Sequence, residues 1–455
     1  MDVFRTQSLP PMTRPNYLYE MWHLIPWSFL AGLVEGQFGA IVVTKTFQGS
    51  TLQIAIASAT PIGAMTFSIF WGALCVGRPK IRLVSLISLA VALLTGMVAA
   101  IPSEPSGANW FIIQMAAAQV LLAGVITIRS AIWKSNYPRA ERGRITARLQ
   151  GLREMIMVCA SMTAAAMCDR GPLSYQYVYP AAALLGLLGV LLLTRIRIRG
   201  ERSELSRPSD APDGGNGRLT LTEVISPRFL GINVARILTN DARFARYLVA
   251  QLCVGVSNQL THAVAALLIA RELDFGAGWG YWISAALLVA LPRLLLFGTI
   301  GRWGKLFDRL GVVRFRVINV LCWLGQLTFG LAGALVVVYP ERFGNTFIVW
   351  AVVFFAMRGI FWGLGMGGGK LAWSLGHLHF APKQDAEIYM GIHVSLTGLR
   401  GLVAPLAGML LWNQIGWWVW IIAIAIGLAS LVMFLALARQ EEREGMPMAP
   451  GDLPL

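Results

Sequence analysis

The sequence predicts an all-α polytopic membrane protein, with twelve transmembrane helices in two pseudo-symmetric six-helix bundles. Composition is the first reason. Of 455 residues, 56% are hydrophobic and 13% are charged, where an ordinary soluble domain carries roughly 25% charged residues. The second reason is recurrence: apolar runs long enough to cross a bilayer, about 20 residues each, follow one another along the whole chain. The third is an internal repeat that relates runs six apart.

The runs lie at 22–44, 51–76, 81–101, 110–133, 148–168, 177–194, 245–270, 279–300, 317–339, 347–369, 388–412 and 415–438, here spans 1 to 12. Residues before span 1 are polar and the span is full-length, so it is expected to be a retained anchor, not a cleaved signal peptide. Between spans 6 and 7 lies the long polar segment. It opens as "RIRIRGERSELSRPSDAPDGGNGR" (195–218), with the Gly, Pro and Ser content of a flexible linker. It continues with Val234, Ile237 and Leu238 interleaved with Arg236, Arg243 and Arg246, the pattern of a basic amphipathic helix on a membrane surface. A plain connector is the simpler reading of the same residues. The expected units are an N-terminal bundle (1–194), a cytoplasmic linker with that surface helix (195–244), a C-terminal bundle (245–438) and a tail (439–455).

A net charge of +15 raises the question of nucleic acid, and the placement of the charges answers it. With the N-terminus inside, the inside segments hold 29 of the 38 Lys and Arg, while the outside loops hold 4: Lys45, Arg170, Arg271 and Arg342. That asymmetry is the positive-inside rule. Both termini are therefore expected in the cytoplasm, and the basic pI reports topology, not a nucleic-acid partner. The five cysteines show no C-x-x-C spacing and lie in or beside apolar runs, as small buried hydrophobes do. No N-x-S/T sequon occurs, which fits a bacterial inner membrane.

The repeat has two independent parts. "LQGLR" ends at Arg153 in span 5 and "LTGLR" ends at Arg400 in span 11. Pro61 precedes Trp71-Gly72 and a basic loop after span 2, as Pro292 precedes Trp303-Gly304 and a basic loop after span 8. Two matches in the same order indicate a 6+6 duplication, and parallel halves of this kind are one pattern of secondary transporters.

The second of these loops, Gly304-Lys-Leu306-Phe-Asp308-Arg309-Leu-Gly311, resembles the G-x-L-x-D-R-x-G signature of the major facilitator superfamily. Arg142-Gly143-Arg144 between spans 4 and 5 is also similar to what many members carry there. The resemblance covers nearly the whole chain. It implies a transporter working by alternating access, with spans 1, 4, 7 and 10 lining a central cavity. It also implies a gate in which Asp308, with Arg309, Gly304 and Gly311, braces the start of span 5 near Arg142 and Arg144. The first copy of the signature departs from the pattern: "GALCVGRPK" keeps Gly72, Leu74, Gly77 and Arg78 but lacks the Asp-Arg pair, so one brace loses its acid. The antiporter-type G-P pair late in span 5 is missing too, since Gly171-Pro172 falls at the helix end and Ala404-Pro405 with Gly408 sits in span 11 instead.

Charges inside the runs carry the functional reading, because each costs at least about 2.5–3.5 kcal/mol in a membrane helix unless it finds a partner or water. Glu35 lies ten residues before Lys45, roughly 15 Å from the outer surface at 1.5 Å per residue. It is a candidate proton-coupling acid or, equally, an acid held by a structural partner. His262, in "SNQLTHA" at similar depth in span 7, is a second proton-coupling candidate, against the alternative of a satisfied core histidine. Arg358 sits midway along span 10 and is the leading solute contact, followed by Arg400, Arg153 and Arg293. Arg153, with Glu154 beside it, is alternatively interfacial. Arg129, close to Lys134, reads as snorkelling to the interface. Trp71, Trp133, Trp362 and Trp373 read as interface-belt residues.

Spans 5 and 11, with Arg153 and Arg400, are expected to face each other across a polar cavity between the halves, where four arginines outnumber Glu35 and Glu154. This favours a small anionic or zwitterionic solute, and structural pairing between helices is the alternative. The expected function is secondary transport of such a solute, with protons as coupling ion, the lipid bilayer as surroundings and a monomer as working unit. Alternatives are a proton-driven exporter of amphiphiles and a non-transporting sensor or assembly protein. No Walker-type loop, cofactor motif or metal-ligand spacing is present, and no enzyme activity is expected. A membrane transferase would have only His377, His379 and Asp385 to work with.

Overall fold

The computed structural model describes residues 9–75, 77–171, 173–201, 205, 239–276, 278–381 and 386–444. The amphipathic segment at 219–238 and Asp385 lie outside the described residues. Helices make up the described chain, and they trace the expected runs. α1 is broken into Arg14–Val34 and Phe38–Lys45, and α2 runs through Thr51–Gly63, Ala64–Phe67 and Ser68–Leu74. α3 (Lys80–Gly96), α4 (Gly107–Asn136), α5 (Arg139–Cys168) and α6 (Tyr175–Leu193) complete the first half.

In the second half α7 joins Ala242–Leu260, His262–Leu267 and a π turn at Leu268–Glu272. α8 begins at Gly280–Ala285 and passes through another π turn, Ala286–Ala290, into Leu291–Val338. That long helix turns at Gly311, where φ is +67°; the residues beyond are α9. The signature glycine is thus the point where the chain reverses, in the left-handed region that favours glycine. α10 (Phe347–Leu375), α11 (Ala386–Ile415) and α12 (Trp418–Arg443) follow. Nine stretches among the described residues are long and apolar enough to cross a membrane, and α1 adds a tenth as a bent pair. With Gly280–Val338 divided at Gly311 and the shorter apolar helix of α2 included, the count is consistent with twelve.

Local chemistry sets the boundaries. Ser50 and Gln53 form a reciprocal capping box at the start of α2, which satisfies two orphan amides. Asp241 caps α7 by accepting the Phe244 amide at 2.8 Å. The amide of Lys80, at the start of α3, is bound at 2.8 Å by Glu201, so the beginning of the linker docks on the first half. The break in α1 follows from Glu35, which is extended (ψ 136°), and from Gly36 at φ +87°. The two segments bend by 45°. The carbonyls freed there are taken by side chains, Gly32 by Ser161 at 3.0 Å and Val34 by Gln119 at 2.9 Å, as unsatisfied backbone inside a membrane requires.

Arg129 does not snorkel. It is 5% exposed and pairs with Glu20 at 2.6 Å, under the Trp133 ring. Helix α1 starts well before span 1 as read from hydropathy, and that extra length places Glu20 inside the bundle.

Helices approach closely where small residues meet, as in membrane interiors generally. Gly398 and Gly401 of α11 lie against Thr66 and Ile62 of α2, across the two halves. Gly408 of α11 is tighter: a Cβ there would stand 1.7 Å from the Leu260 carbonyl oxygen, where α7 breaks. Gly408→Ala is expected to destabilise by about 3 kcal/mol or more through forced separation of the helices, whereas Gly298→Ala, with open space around it, should change stability by less than about 0.5 kcal/mol. Thermal unfolding of both variants in detergent checks the pair.

Candidate functional site

The charged residues of the interior meet where α1 is broken. Glu35, at the break, is ion-paired with Arg153 of α5. The next residue, Glu154, faces the other half, since successive helical side chains diverge by about 100°. There it receives Arg293 of α8 as a close ion pair and Lys370 of α10 at 2.8 Å, while Arg153 stays 3.6 Å away on the other side. Arg293 also reaches Gly36, whose added Cβ would stand 3.1 Å from its Nη2. The Glu154 side chain is 4% exposed. One buried carboxylate therefore joins three cations, two of them from the opposite half.

Arg358 is different. It is fully buried on α10, and none of its three guanidinium nitrogens has a hydrogen-bond acceptor among the described residues. Its flat face lies over the Trp362 ring at 4.6 Å, and Trp362 meets His262 of α7 edge-on at 4.2 Å. Cation–π contact offsets part of the desolvation of a guanidinium and leaves its N–H edge unsatisfied. His262 Nδ1 is likewise buried without a partner among the described residues.

Arg400 does not face Arg153 across a common space. It turns to its own half, lies on Gly255 and donates to the Gln251 carbonyl at 2.5 Å. The structure brings Glu35, Arg153 and Arg293 into one network and holds Arg358 with His262 through Trp362. Lys370 and the bridging role of Glu154 escape the sequence reading, because hydropathy ends span 10 one residue before Lys370. The signal available is the acid following Arg153 directly after the repeated phrase.

At the basic-loop end, Asp308 and Arg309 are exposed, and Gly304 has open space around it. Among the described residues Asp308 makes no ion pair or hydrogen bond with the start of α5. Arg142 instead donates to the Lys134 and Tyr137 carbonyls, and Arg144 pairs with Glu141 at 2.6 Å. At the opposite end the halves are fastened. Asp169 of α5 accepts the Tyr281 and Trp282 amides of α8, both at 2.8 Å, capping that helix across the interface. Arg271 donates to the Gly49 carbonyl, Thr46 bonds Tyr281, and Asn413 bonds Thr51 at 3.1 Å. A cavity of about 500 Å³ lies beside these links, lined by Thr44, Lys45, Gln48, Ala270 and Arg271.

The tryptophans read as a belt turn inward. Trp71 donates to the Val120 carbonyl at 2.9 Å, Trp133 to Glu20 at 3.0 Å and Trp373 to Thr397 at 3.3 Å, while Trp362 is 8% exposed. A buried indole needs an acceptor for its N–H, and mid-helix polar groups supply it. His379 pairs with Glu441 at 2.9 Å, and burial holds His377 below the ordinary imidazole range. No group of three or more His, Cys, Asp or Glu able to hold a metal occurs among the described residues.

Two repeated helical halves, tied by a buried charge network beside a broken helix, define a polytopic membrane protein with the build of a secondary transporter. The chain belongs to the Major Facilitator Superfamily, whose sequence profile matches residues 24–405. Solved structures similar in fold include the nucleoside transporter NupG as a mutant form, with a TM-score of 0.66 at 14% identity over 92% of this chain and 98% of that one. A POT family transporter in complex with 5-aminolevulinic acid gives 0.64 at 9%, covering 96% and 98%. The xylose transporter XylE from E. coli, in a partially occluded inward open conformation, gives 0.62 at 10%, covering 93% and 99%. No curated protein matches the chain at the sequence level.

The geometry ranks two carboxylates. Glu154→Gln leaves Arg293 and Lys370 without a counter-charge and is expected to cost about 3 kcal/mol of stability. Glu35→Gln should cost only about 1 kcal/mol, because Arg153 keeps Glu154 within reach. Thermal unfolding of both variants in detergent tests that order, and equal losses would contradict it.

Proposed function

We propose that the protein carries a small anionic or zwitterionic solute across the membrane by alternating access, with Arg358 as its principal contact. The observation that carries this reading is the buried Arg358 guanidinium with no acceptor among the described residues. A cation taken out of water without a counter-charge is costly, and a solute carboxylate or phosphate arriving on its N–H edge offsets that cost. Trp362 and His262 then form an aromatic wall beside the charge. Arg400, Arg153 and Arg293 are the secondary contacts, the last two being released to a solute when their acids move or are neutralised.

Glu35 is the proposed coupling acid: a proton on its carboxyl frees Arg153, which alters the network that Glu154 shares with α8 and α10. His262 is the second proton-carrying candidate, adjacent to the solute through Trp362. Gly311, at the turn of the signature loop, belongs with Gly304, Asp308, Arg309, Arg142 and Arg144 to the gate, which closes in the alternate state by bringing Asp308 to α5. The protein works as a monomer in a bacterial inner membrane with both termini cytoplasmic, without a cofactor or catalytic chemistry. Support from neighbours is at the level of fold, since they include transporters of nucleosides, peptides and a sugar.

Ligand-induced thermal stabilisation across anions, zwitterions, cations and neutral amphiphiles tests the reading. Anions or zwitterions are expected to stabilise the wild type, and Arg358→Gln should weaken that binding roughly 30-fold, the equivalent of about 2 kcal/mol for a charged hydrogen bond. Stabilisation only by cations or amphiphiles, unchanged in Arg358→Gln and Arg400→Ala, would overturn it.

A further inference from the structure

A second group of cations lies within the C-terminal half, on α9 and α11. Arg316, on α9 just past the Gly311 turn, is 2% exposed. Its Nη1 donates to Asn319 at 2.6 Å and its Nη2 to the Gln251 side chain, while its Nε is buried with no acceptor among the described residues. Arg400 of α11 approaches from the other side of the same residue and donates to the Gln251 carbonyl at 2.5 Å. The two guanidiniums are close enough to act on each other electrostatically, and both act on Tyr247 of α7 and on His393 of α11. The Tyr247 hydroxyl, in a fully buried residue, and His393 Nε2, in a residue 2% exposed, also lack partners among the described residues.

This arrangement is deficient in negative charge. Two guanidiniums share one neutral glutamine, and no carboxylate contacts either of them among the described residues. Among the described residues, Asp308 at the basic-loop end is exposed, and other acids there are committed elsewhere. Asp241 caps α7 and accepts the Tyr389 hydroxyl, Glu441 holds Arg243 and His379, and Glu442 holds Arg314. Like charges buried together without an anion repel and are poorly solvated. The unsatisfied groups are a guanidinium Nε on α9, a phenol on α7 and an imidazole on α11, the last two within electrostatic reach of both guanidiniums. A doubly charged oxyanion matches two guanidiniums in charge.

We propose that Arg316 and Arg400, with Tyr247 and His393, form an oxyanion site for a phosphate-type group, in which Arg358 takes no part and Arg400, a secondary contact in the proposed function, is shared. Arg400 is the only one of the four that is partly exposed, and it marks the entrance. The group comes either from a free phosphate or phosphorylated solute, or from the headgroup of an anionic phospholipid; the recognising chemistry is the same.

The test uses the full-length protein purified in phosphate-free buffer. Thermal unfolding is followed with inorganic phosphate, with sulfate and with acetate, then in nanodiscs of phosphatidylcholine with and without phosphatidic acid. Phosphate or sulfate is expected to raise the unfolding temperature by about 2 °C or more at saturation through this site, whereas acetate acts only through Arg358 and has no effect on Arg358→Gln. A rise with phosphatidic acid alone assigns the site to a lipid headgroup. Arg316→Met supplies the sharper readout. If the cluster lacks its anion, removing one of two mutually repelling guanidiniums should raise the unfolding temperature of the ligand-free protein and abolish the oxyanion response. Tyr247→Phe, which removes one hydroxyl and keeps the packing, should weaken the response several-fold, and Arg358→Gln should leave it intact. The proposal is overturned if no oxyanion and no phosphatidic acid stabilises the wild type. It is equally overturned if the response survives Arg316→Met, or if that variant is destabilised with Tyr247→Phe responding as wild type, because Arg316 is then a structural donor to Gln251 and Asn319.

Discussion

The arrangement of the two halves depends on one carboxylate. Glu154 is buried on α5 and engages Arg293 and Lys370 from the opposite half and, more distantly, Arg153 from its own helix. Ion pairs at this depth break even only when geometry and counter-charge are both complete, so the register of α5 against α8 and α10 is tightly specified. Displacing the helices by one turn, about 5.4 Å, strands two cations at once, Arg293 and Lys370. The same pair of halves is fastened at the outer loops by Asp169 on the α8 amides and is unbraced at Asp308, which is exposed. Among the described residues the halves are therefore fastened at one end and tied at mid-depth, while Asp308 makes no contact between them at the other end.

The break in α1 is what lets Glu35 join this network. A continuous helix would direct Glu35 by helical geometry alone; the extended residue and the left-handed Gly36 behind it reset its direction toward Arg153. The break also releases carbonyls, and Ser161 and Gln119 take those of Gly32 and Val34. Helix α5 therefore supplies the partner of the broken backbone (Ser161), the partner of the broken-helix acid (Arg153) and the bridge to the other half (Glu154). Motion of α5 against α1 and motion of the halves against each other are mechanically linked through these adjacent side chains.

The fold is legible because hydropathy, loop charge and the 6+6 repeat all report the same solvent constraint, the bilayer. Even the turn at Gly311 is marked by its signature. Depth is less legible than identity. Hydropathy ends span 10 at residue 369 and begins span 1 at 22, whereas α10 runs to Leu375 and α1 begins at Arg14. Charged residues in those extra turns, Lys370 and Glu20, lower the local hydropathy while being satisfied inside the protein by Glu154 and Arg129. Arg316 is hidden in the same way, since it reads as part of a basic loop although it is buried. A partner on another helix is invisible to a one-dimensional reading, and Arg129 and the inward-bonded tryptophans show the error that follows. Asp308 shows another kind: the signature is present in the sequence, while its acid is exposed and makes no ion pair among the described residues.

The interior arginines divide by partner, and the division bears on specificity. Arg153 and Arg293 are neutralised by acids at the interface between halves, so their charge is available to a solute only when that interface rearranges. Arg358 has no acceptor among the described residues, and its guanidinium carbon lies 4.6 Å from the centre of the Trp362 ring. A solute that binds only the paired arginines must compete with Glu35 and Glu154. One that binds Arg358 competes with nothing and lowers the electrostatic energy of the protein. Under the proposed function, recognition falls on the unpaired cation and the paired ones respond to solute and proton. Two roles are separated in that proposal, selection of a small anion at one residue and response of the interface through others.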